Sequence, residues 1–542
     1  LCFSAKFNTP KGMDKPKQKR VIRRSKRVPP TDQPSLFSSP LPETKAPERL
    51  PTAVSFLNPS PEAMFIGETP LRKYLKQNGL SWVIRLRRLL SKSDLSDFLS
   101  AYDPLGRQAI HPVVMLGLIV YGILQRQWSL RELESLARRD VGAWWLTGGL
   151  QPDHSTIGKF IQLHRAVLTE TYFVDLTRLL IKRLRLSAGE VAGDGTVVEA
   201  AASRYRALRA EAVQQAAAEA RAAARADDAK GQAQVERAEQ AAKLAQERAA
   251  KSKQNGDNPQ NVRLNPSEPE AVYQPRKDGA RRPAYKPSVL ANAQRLIVGQ
   301  HVDPSNENAS ITPMLDQHRS LFASYPPRTL LDGNYHNATV LGLFVELELD
   351  LLCPPGKADQ GKWKKKNRTG KFLKTDFVYD DESDTYRCPA GHELRVAQRG
   401  KNELGLAYRR YGGAPCRDCP LRERCTTARC GRTIKRFDGD EWKEAMAQVL
   451  ADPRARRCYG RRRELVEPVF AELRERQGLK RFHRRGLVGV RVEFSLHAIA
   501  YNLKRTLRLE GQRGFLIIIT AQLWVENRRS VFWICFLWLE NP

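Results

Sequence analysis

Two aspartates stand in the same local setting, and that setting can support chemistry. Asp194 lies in Val-Ala-Gly-Asp-Gly-Thr and Asp332 in Thr-Leu-Leu-Asp-Gly-Asn-Tyr, so each carboxylate ends or interrupts an apolar run of β-strand character and precedes a glycine. A carboxylate in such a run is costly to bury unless it is paired or coordinates a metal ion. A single Asp before Gly is typical of a turn, but two in this setting indicate a site.

A third acidic element lies in a segment with helical periodicity. Apolar residues recur every four positions between residues 459 and 474, which predicts a helix. On it, Arg463, Glu467 and Arg474 lie near one face. A surface ladder of ion pairs is the alternative interpretation. Pro468 disfavours helical geometry at the residue before it and predicts a kink or a fresh helix start there.

The order of these motifs resembles a known family. The chain carries Gly-Asp-Gly-Thr, Leu-Leu-Asp-Gly-Asn-Tyr and Tyr-x-x-Arg-Arg-x-x-Val-Glu-Pro-Val-Phe, followed by Arg-Phe-His-Arg-Arg-Gly. This order resembles the DDE transposases of bacterial insertion sequences, most of all the branch with a cysteine-rich insertion before the catalytic glutamate. The resemblance covers roughly residues 70 to 507. It implies an α/β fold: an RNase H-like catalytic core with helical and cysteine-rich insertions, preceded by an all-helical N-terminal domain.

The resemblance also implies a reaction and its residues. Asp194 would lie on the first strand of the core, Asp332 at the end of the fourth and Glu467 on a later helix. Three carboxylates suit two Mg²⁺ (or Mn²⁺) ions, which could support hydrolysis at the element end and then attack of the freed 3′-hydroxyl on target DNA. Glu464 and Glu472 are rivals for the third ligand, although Glu467 matches the family's position.

Basic residues around the glutamate are expected to contact DNA. Tyr459, Arg462 or Arg463, and Arg474 correspond to the family's Tyr-Arg-Glu-Lys stretch, with the register from tyrosine to arginine ambiguous by one and Arg in place of the usual Lys. Two further runs are expected to follow a phosphate backbone, against the alternative of a solvated face. These runs contain Lys364, Lys365, Lys366, Lys480, Arg481, Arg484 and Arg485.

A cluster of cysteines precedes the glutamate helix. Its Cys-x-x-Cys pair is a common half of a zinc site, and two more cysteines could complete a structural thiolate tetrahedron. The alternative is a set of reduced thiols packed in a small subdomain, and His392 and Cys430 remain possible ligands. The predicted zinc ligands are Cys388, Cys416, Cys419 and Cys425.

The composition agrees with a nucleic-acid partner. The chain holds 91 Lys and Arg against 59 Asp and Glu, a formal net charge of +32, which favours a polyanion, with DNA ahead of an anionic membrane surface. Nine cysteines in 542 residues are too few for a secreted disulfide scaffold. The apolar stretch at residues 515 to 539 is interrupted by charges, so no membrane span is expected. We expect a cytoplasmic, nucleoid-associated bacterial protein that binds element ends and target DNA as a homodimer or higher oligomer.

Local signals predict the organisation of the chain. A helix is expected from residue 112 to 126, and Asp153 or Ser155 could cap a helix in a helix-turn-helix-like pair, which competes with an ordinary helical hairpin. An alanine-rich helical hairpin should break near residues 227 to 231, and the Pro-rich residues 252 to 290 should form a loop. The predicted units are a disordered basic arm (1–60), a helical DNA-binding domain (61–188), a catalytic domain (189–510) with insertions at 204–255 and about 355–435, and an atypical apolar tail (511–542).

Both ends of the chain are unusual for the family. Met13 opens a normal-looking polar leader, so residues 1 to 12 are expected to come from upstream of the true start, and the apolar tail suggests an added or out-of-frame segment. An alternative hypothesis is therefore a catalytically inactive DNA-binding remnant or regulator. Metal-dependent cleavage of element-end DNA would separate the two.

Overall fold

The computed structural model describes residues 54–104, 108–224, 229–254, 256, 258–276, 279–355, 371–401, 405–413 and 415–526. Most of the expected N-terminal arm lies outside these ranges, as do Lys364, Lys365 and Lys366. Within the described ranges, no helix combines the length and apolar character that crossing a bilayer requires.

The N-terminal part of the described chain is a layer of helices. The predicted helix at Pro112 is confirmed, since proline at the first position loses no helical hydrogen bond. Ser129 begins the next helix with a capping box, in which its hydroxyl accepts from the Glu132 amide and the Glu132 carboxylate accepts from the Ser129 amide. The helices are α1 (Leu71–Gln77), α2 (Ser81–Leu90), α3 (Ser96–Leu99), α4 (Pro112–Leu124), α5 (Leu130–Arg139), α6 (Val141–Thr147), α7 (His154–Leu163), α8 (Arg165–Glu170) and α9 (Tyr172–Leu184). Short strands accompany them: β1 (Phe56–Leu57), β2 (Phe65–Ile66), β3 (Thr69–Pro70) and β4 (Ala109–Ile110).

The turn between α6 and α7 follows the predicted capping chemistry. Gly148 ends α6 in the left-handed region, where glycine has no steric penalty. The Asp153 carboxylate then accepts from the Thr156 amide at 2.6 Å, so the cap is Asp153. The hydroxyl of Ser155 donates to the same carboxylate at 2.9 Å.

The central sheet has the order β11-β10-β5-β12-β13. Its first three strands are antiparallel, whereas β5, β12 and β13 run parallel to one another. Two further strands, β6 and β9, pair with the beginning of β10. The strands are β5 (Val191–Gly195), β6 (Val198–Glu199), β9 (Val272–Pro275), β10 (Arg281–Asn292), β11 (Ile297–Asp303), β12 (Thr329–Leu330) and β13 (Leu351–Leu352).

The prediction of a loop over residues 252 to 290 is wrong. This segment contains β9 and most of β10, the longest strand of the sheet, in spite of Pro283 and Pro287. Proline removes an amide donor but keeps its carbonyl, and here those carbonyls accept from the amides of Ala200 and Thr196. A Pro-rich composition therefore did not prevent pairing.

An alanine-rich hairpin leaves the sheet through a narrow neck. The neck is β7 (Leu208–Arg209) paired with β8 (Arg263–Leu264), and the hairpin consists of α10 (Ala210–Ala223) and α11 (Ala229–Gln254). Helix α11 already includes residues 229 to 231, and residues 225 to 228 lie outside the described ranges. The hairpin has a small core of its own, formed by Val213, Ala241, Ala245 and Leu264.

A second, antiparallel sheet carries the cysteines. Its order is β14-β15-β16-β17-β18, and its separate core is Phe377, Tyr386, Leu394, Tyr411 and Ile434. The strands are β14 (Val378–Asp380), β15 (Thr385–Arg387), β16 (Glu393–Lys401), β17 (Ala407–Gly412) and β18 (Ile434–Phe437).

The remaining helices are α12 (Ile311–Phe322), α13 (Ala338–Glu346), α14 (Arg422–Cys425), α15 (Asp440–Val449), α16 (Pro453–Ala471) and α17 (Gly486–Glu526). Helices α4, α8 and α9 pack on α17, and the main core is continuous from the helical layer to the central sheet. The Ser495 hydroxyl on α17 donates to the Leu168 carbonyl on α8, which ties the two layers together.

The predicted fresh helix start at Pro468 is wrong, because α16 runs through this proline and ends in one π-helical turn, Glu472–Arg476. Proline cannot donate to the carbonyl four residues earlier, that of Glu464. Arg295 donates its Nε to this carbonyl at 2.9 Å instead. A distant side chain thus replaces the hydrogen bond that the proline removes.

Candidate active site

Asp194 and Asp332 meet at one edge of the central sheet. Strands β5 and β12 are parallel neighbours with Ala192 opposite Leu330, and each aspartate follows two residues later. Parallel strands end at the same edge, so the two carboxylates come together there. Gly193 allows the close approach, since a Cβ atom at this position would lie 2.5 Å from Leu331.

Arg462 lies between the two carboxylates. Its Nη2 atom is 2.9 Å from Asp194 Oδ2 and 3.9 Å from Asp332 Oδ2, and its side chain is 9% exposed. Its Nε is buried without a hydrogen-bond partner. Arg463, by contrast, is 76% exposed, with its Nε 3.9 Å from Glu467 Oε1. Of the two arginines that the sequence left open, Arg462 is the one at the aspartates.

The electrostatics of this edge favour a cation. The pKa of Asp194 is raised to about 6. Burial is the main cause and the charge of Asp332 adds to it, whereas Arg462 acts in the opposite direction. Burial also raises the pKa of Asp332, while Arg462 and the Asn334 amide act in the opposite direction. Two carboxylates that are difficult to ionise together form an attractive site for positive charge.

Glu307 is an acidic neighbour that the sequence analysis missed. Its carboxylate pairs with Lys286 at 2.8 Å and is 11% exposed. A Cβ atom at Gly195 would lie 3.0 Å from the Glu307 carboxyl carbon, so this carboxylate packs against the end of β5. Its charge raises the pKa of both Asp194 and Asp332. Glu307 lies in a polar segment outside any apolar run, so no sequence signal pointed to it.

The structure does not bring Glu467 into contact with the aspartates. Its side chain is 60% exposed and pairs with Arg463 on the same helix. Among the described residues, no group of three or more histidine, cysteine, aspartate or glutamate side chains could hold a metal ion as it stands. That Glu467 meets Asp194 and Asp332 in one metal site stays a prediction. Of its rivals, Glu464 is exposed, and Glu472 is paired with Lys504 at 2.6 Å.

Two other residues of the glutamate helix lie close to this edge. Tyr459 is half-buried, and burial raises its pKa, whereas the nearby Arg462 lowers it. Arg474 donates its Nη1 to the hydroxyl of Thr196 at 3.0 Å, directly after the Gly-Asp-Gly-Thr strand. The helix therefore runs alongside the end of β5.

The basic run after this helix has mixed roles. Arg481 donates to the backbone carbonyls of Ala200 and Ala202, each at 3.2 Å, so this side chain anchors its loop. Lys480 pairs with the Glu475 carboxylate at 2.8 Å. The remaining two predicted DNA contacts differ in burial: Arg484 is half-buried and Arg485 is exposed.

The four predicted zinc ligands surround one small cavity. Cys388, Cys416, Cys419 and Cys425 line a space of about 20 Å³ beside the second sheet and are free thiols. Burial raises the pKa of the Cys425 thiol, and the other three cysteines raise it further, while Arg432 opposes this effect. The reserve ligand His392 also lines the cavity. These thiols therefore line one cavity, while no group of three or more potential ligands in the described part of the chain could hold a metal ion as it stands, so the zinc site stays a prediction.

Comparison with known proteins identifies two transposase regions. Residues 387–507 match the family model described as "Transposase DDE domain", and residues 73–163 match the one described as "Transposase domain (DUF772)". No curated protein matches the chain. The first region contains the cysteines and the glutamate helix, and the second contains most of the N-terminal helical layer. These two matched regions indicate a DDE transposase of an insertion sequence.

Proposed function

We propose that this transposase cuts the ends of its element by metal-dependent hydrolysis and joins the freed 3′-hydroxyl to target DNA. One observation carries the proposal: Asp194 and Asp332 share a buried cation at the end of two parallel strands. DDE transposases act on DNA and generally use divalent metal ions. A buried acidic pair that already stabilises one positive charge suits that requirement.

The order of the central sheet supports an RNase H-like core. Along the main path of the sheet, the strands in chain order are β5, β10, β11, β12 and β13, with Asp194 on the first and Asp332 shortly after the fourth. This is the arrangement that the family resemblance implies. We assign residues 61–188 to a helical DNA-binding domain and 189–510 to the catalytic domain, with insertions at 204–255 and about 355–435.

The residues at this edge fit Mg²⁺ or Mn²⁺. Carboxylate oxygens are the ligands that hard divalent cations prefer. Asp194, Asp332 and Glu467 would hold two ions, which supply activation of the attacking oxygen and stabilisation of the leaving oxygen. Glu467 remains assigned by its position in the family motif, and its exposure leaves it accessible.

Side chains of α16 would position the DNA. Arg463 is exposed beside Glu467, and Arg474 lies next to the strand that carries Asp194. A guanidinium is suited to bidentate contact with phosphate. Tyr459, on the preceding turn, would contact the same backbone. Together with the net charge of +32, these residues support DNA as the bound polyanion. We further propose that the protein is associated with the nucleoid in a bacterial cytoplasm. We also propose that it binds DNA as a homodimer or higher oligomer.

We further propose that the four thiols bind a structural Zn²⁺. Four cysteine thiolates are a typical ligand set for a tetrahedral structural zinc ion, with Zn–S distances of about 2.3 Å. Here the four side chains line the same cavity. Protein prepared without chelators should contain about one equivalent of zinc. Cys416→Ser should lower this content, whereas Cys458→Ser, the matched control at a free cysteine on α16 outside the cluster, should not. Equal zinc loss in both variants would contradict the assignment.

The catalytic proposal can be tested with purified full-length protein and labelled duplexes that carry the DNA flanking the gene. We expect cleavage at the element end with Mg²⁺ and none with a chelator. Asp194→Asn should reduce cleavage to background while DNA affinity stays within about twofold, because the basic surface is unchanged. Asp316→Asn, the same change at an exposed position of α12, is the control. DNA binding without cleavage in any divalent metal would indicate a regulator instead.

A further inference from the structure

The guanidinium of Arg462 occupies the space between the two active-site carboxylates. Its Nη2 lies 2.9 Å from Asp194 Oδ2 and 3.9 Å from Asp332 Oδ2. The residue is 7% exposed, so this charge is almost fully removed from water. Arg462 belongs to α16, whereas the aspartates belong to the sheet. A helix thus inserts a cation between carboxylates contributed by two strands.

The Oδ1 atoms of Asp194 and Asp332 already accept hydrogen bonds from the backbone amides of Gly195 and Asn334, so a metal ion and this guanidinium would compete for the two Oδ2 atoms. Mg²⁺ binds carboxylate oxygens at about 2.0–2.1 Å, shorter than the hydrogen-bond distance to Nη2. Arginine stays protonated in proteins, so it cannot make room by losing its charge. Two cations confined to one buried carboxylate pair would also repel each other strongly. Simultaneous occupation is therefore unfavourable.

The attachment of Arg462 is incomplete in a way that permits exchange. Its Nε is buried without a hydrogen-bond partner, and Nη2 provides its ion pairs with both aspartates. A buried donor without a partner lowers the stability of the arrangement that holds it. A guanidinium in its own dedicated pocket would have its donors satisfied. This one is held chiefly by the charge of the carboxylates.

We propose that Arg462 is the internal counter-ion of the metal-free site and must leave the carboxylates when a divalent cation binds. It therefore lowers the metal affinity of the site and keeps the acidic pair stable before metal arrives. This inference rests on the proposed function, which assigns Asp194 and Asp332 as metal ligands. Arg462 is thereby a positioning residue that competes with the ion for the same oxygen atoms.

The test is a Mn²⁺ titration of the full-length protein without DNA, in which calorimetry measures the affinity. Arg462→Gln should bind Mn²⁺ at least about tenfold more tightly than the wild type, because the competing charge is gone. Arg457→Gln removes the same charge from an exposed position of the same helix and should change affinity by less than about twofold. Unchanged or weaker binding by Arg462→Gln would overturn the proposal.

A second measurement needs no variant at Arg462. Phenylglyoxal modifies accessible guanidinium groups, and mass spectrometry can locate the modified arginine. Saturating Mn²⁺ should make Arg462 of the wild type several-fold more reactive, while the exposed Arg457 keeps its reactivity. Protection of Arg462 by Mn²⁺, or no change in its reactivity, would mean that both cations remain and would overturn the proposal.

The two proposals can fail separately. If Asp194→Asn abolishes Mn²⁺ binding but Arg462→Gln does not tighten it, the role of Arg462 is rejected and the assignment of the metal site stands. If Mn²⁺ binding to the wild type does not depend on Asp194, both the metal assignment and the competition are rejected.

Discussion

The contact between Arg295 and the glutamate helix should be measurable as local stability. Arg295→Ala removes the Nε donor from the Glu464 carbonyl, which Pro468 leaves without its usual helical partner. A hydrogen bond from a charged group is worth about 1.5–3 kcal/mol, but this one is partly solvent-exposed, so we expect a loss of about 1 kcal/mol. Such a loss corresponds to roughly fivefold more frequent opening of the helix end.

A double-mutant cycle isolates this effect. In Pro468→Ala the new amide can donate to Glu464, so Arg295→Ala should then change opening by less than about twofold. The assay is amide hydrogen exchange of the peptide covering residues 465–476, because a large chain need not unfold in one step. Arg457→Ala, on the exposed face of the same helix, is the matched control. An equal effect of Arg295→Ala in both backgrounds would refute the reasoning.

Three further outcomes follow from the sequence and the structure. Neutralising Lys364, Lys365 and Lys366 together should reduce the slope of log affinity for DNA against log salt by up to about three units, measured by anisotropy, and an unchanged slope would indicate a solvated run. Gly193→Ala should lower the free energy of unfolding by about 1–3 kcal/mol, because the new Cβ atom would lie 2.5 Å from Leu331. This would be measured as a lower denaturation midpoint, and a midpoint equal to that of the wild type would mean that the strands can separate there. Raising the pH from 4 to 7 should weaken the metal-free fold around Asp194, because a carboxyl pKa raised to about 6 makes ionisation unfavourable in the folded state. The protection factors of the β5 amides, which correct for the intrinsic pH dependence of exchange, would detect this, and protection factors that are equal or larger at pH 7 would contradict it.

The sequence could predict the parts of the site that depend on strand chemistry. Asp194 and Asp332 follow apolar runs, and parallel pairing of those runs is enough to bring them together. It could not distinguish Arg462 from Arg463, because that choice depends on the rotation of α16 against the sheet. Glu307 carried no signal, since its position depends on the turn after β11. These features arise from tertiary packing, which short-range patterns do not encode.

Prolines account for much of what was misjudged in the fold. Pro-rich residues 252–290 suggested a loop, and Pro468 suggested a kink or a fresh helix start, because a proline lacks the amide donor. Each proline removes only its own amide donor. The proline carbonyls of β10 still accept from Ala200 and Thr196, and Arg295 supplies the donor missing from α16. A local rule was outweighed by partners that are distant in the sequence.

The neck of the alanine-rich hairpin has an evolutionary consequence. Leu208 and Leu264 are direct partners in a two-stranded ladder, so the hairpin leaves and re-enters the rest of the chain at one point. Segments whose ends already lie side by side can lengthen, shorten or disappear with little change in loop-closure entropy. Insertions and deletions in the hairpin should therefore be tolerated in evolution without altering the strands beneath it. A shortened chain that joins Leu208 to Leu264 through a tight turn should still form the central sheet.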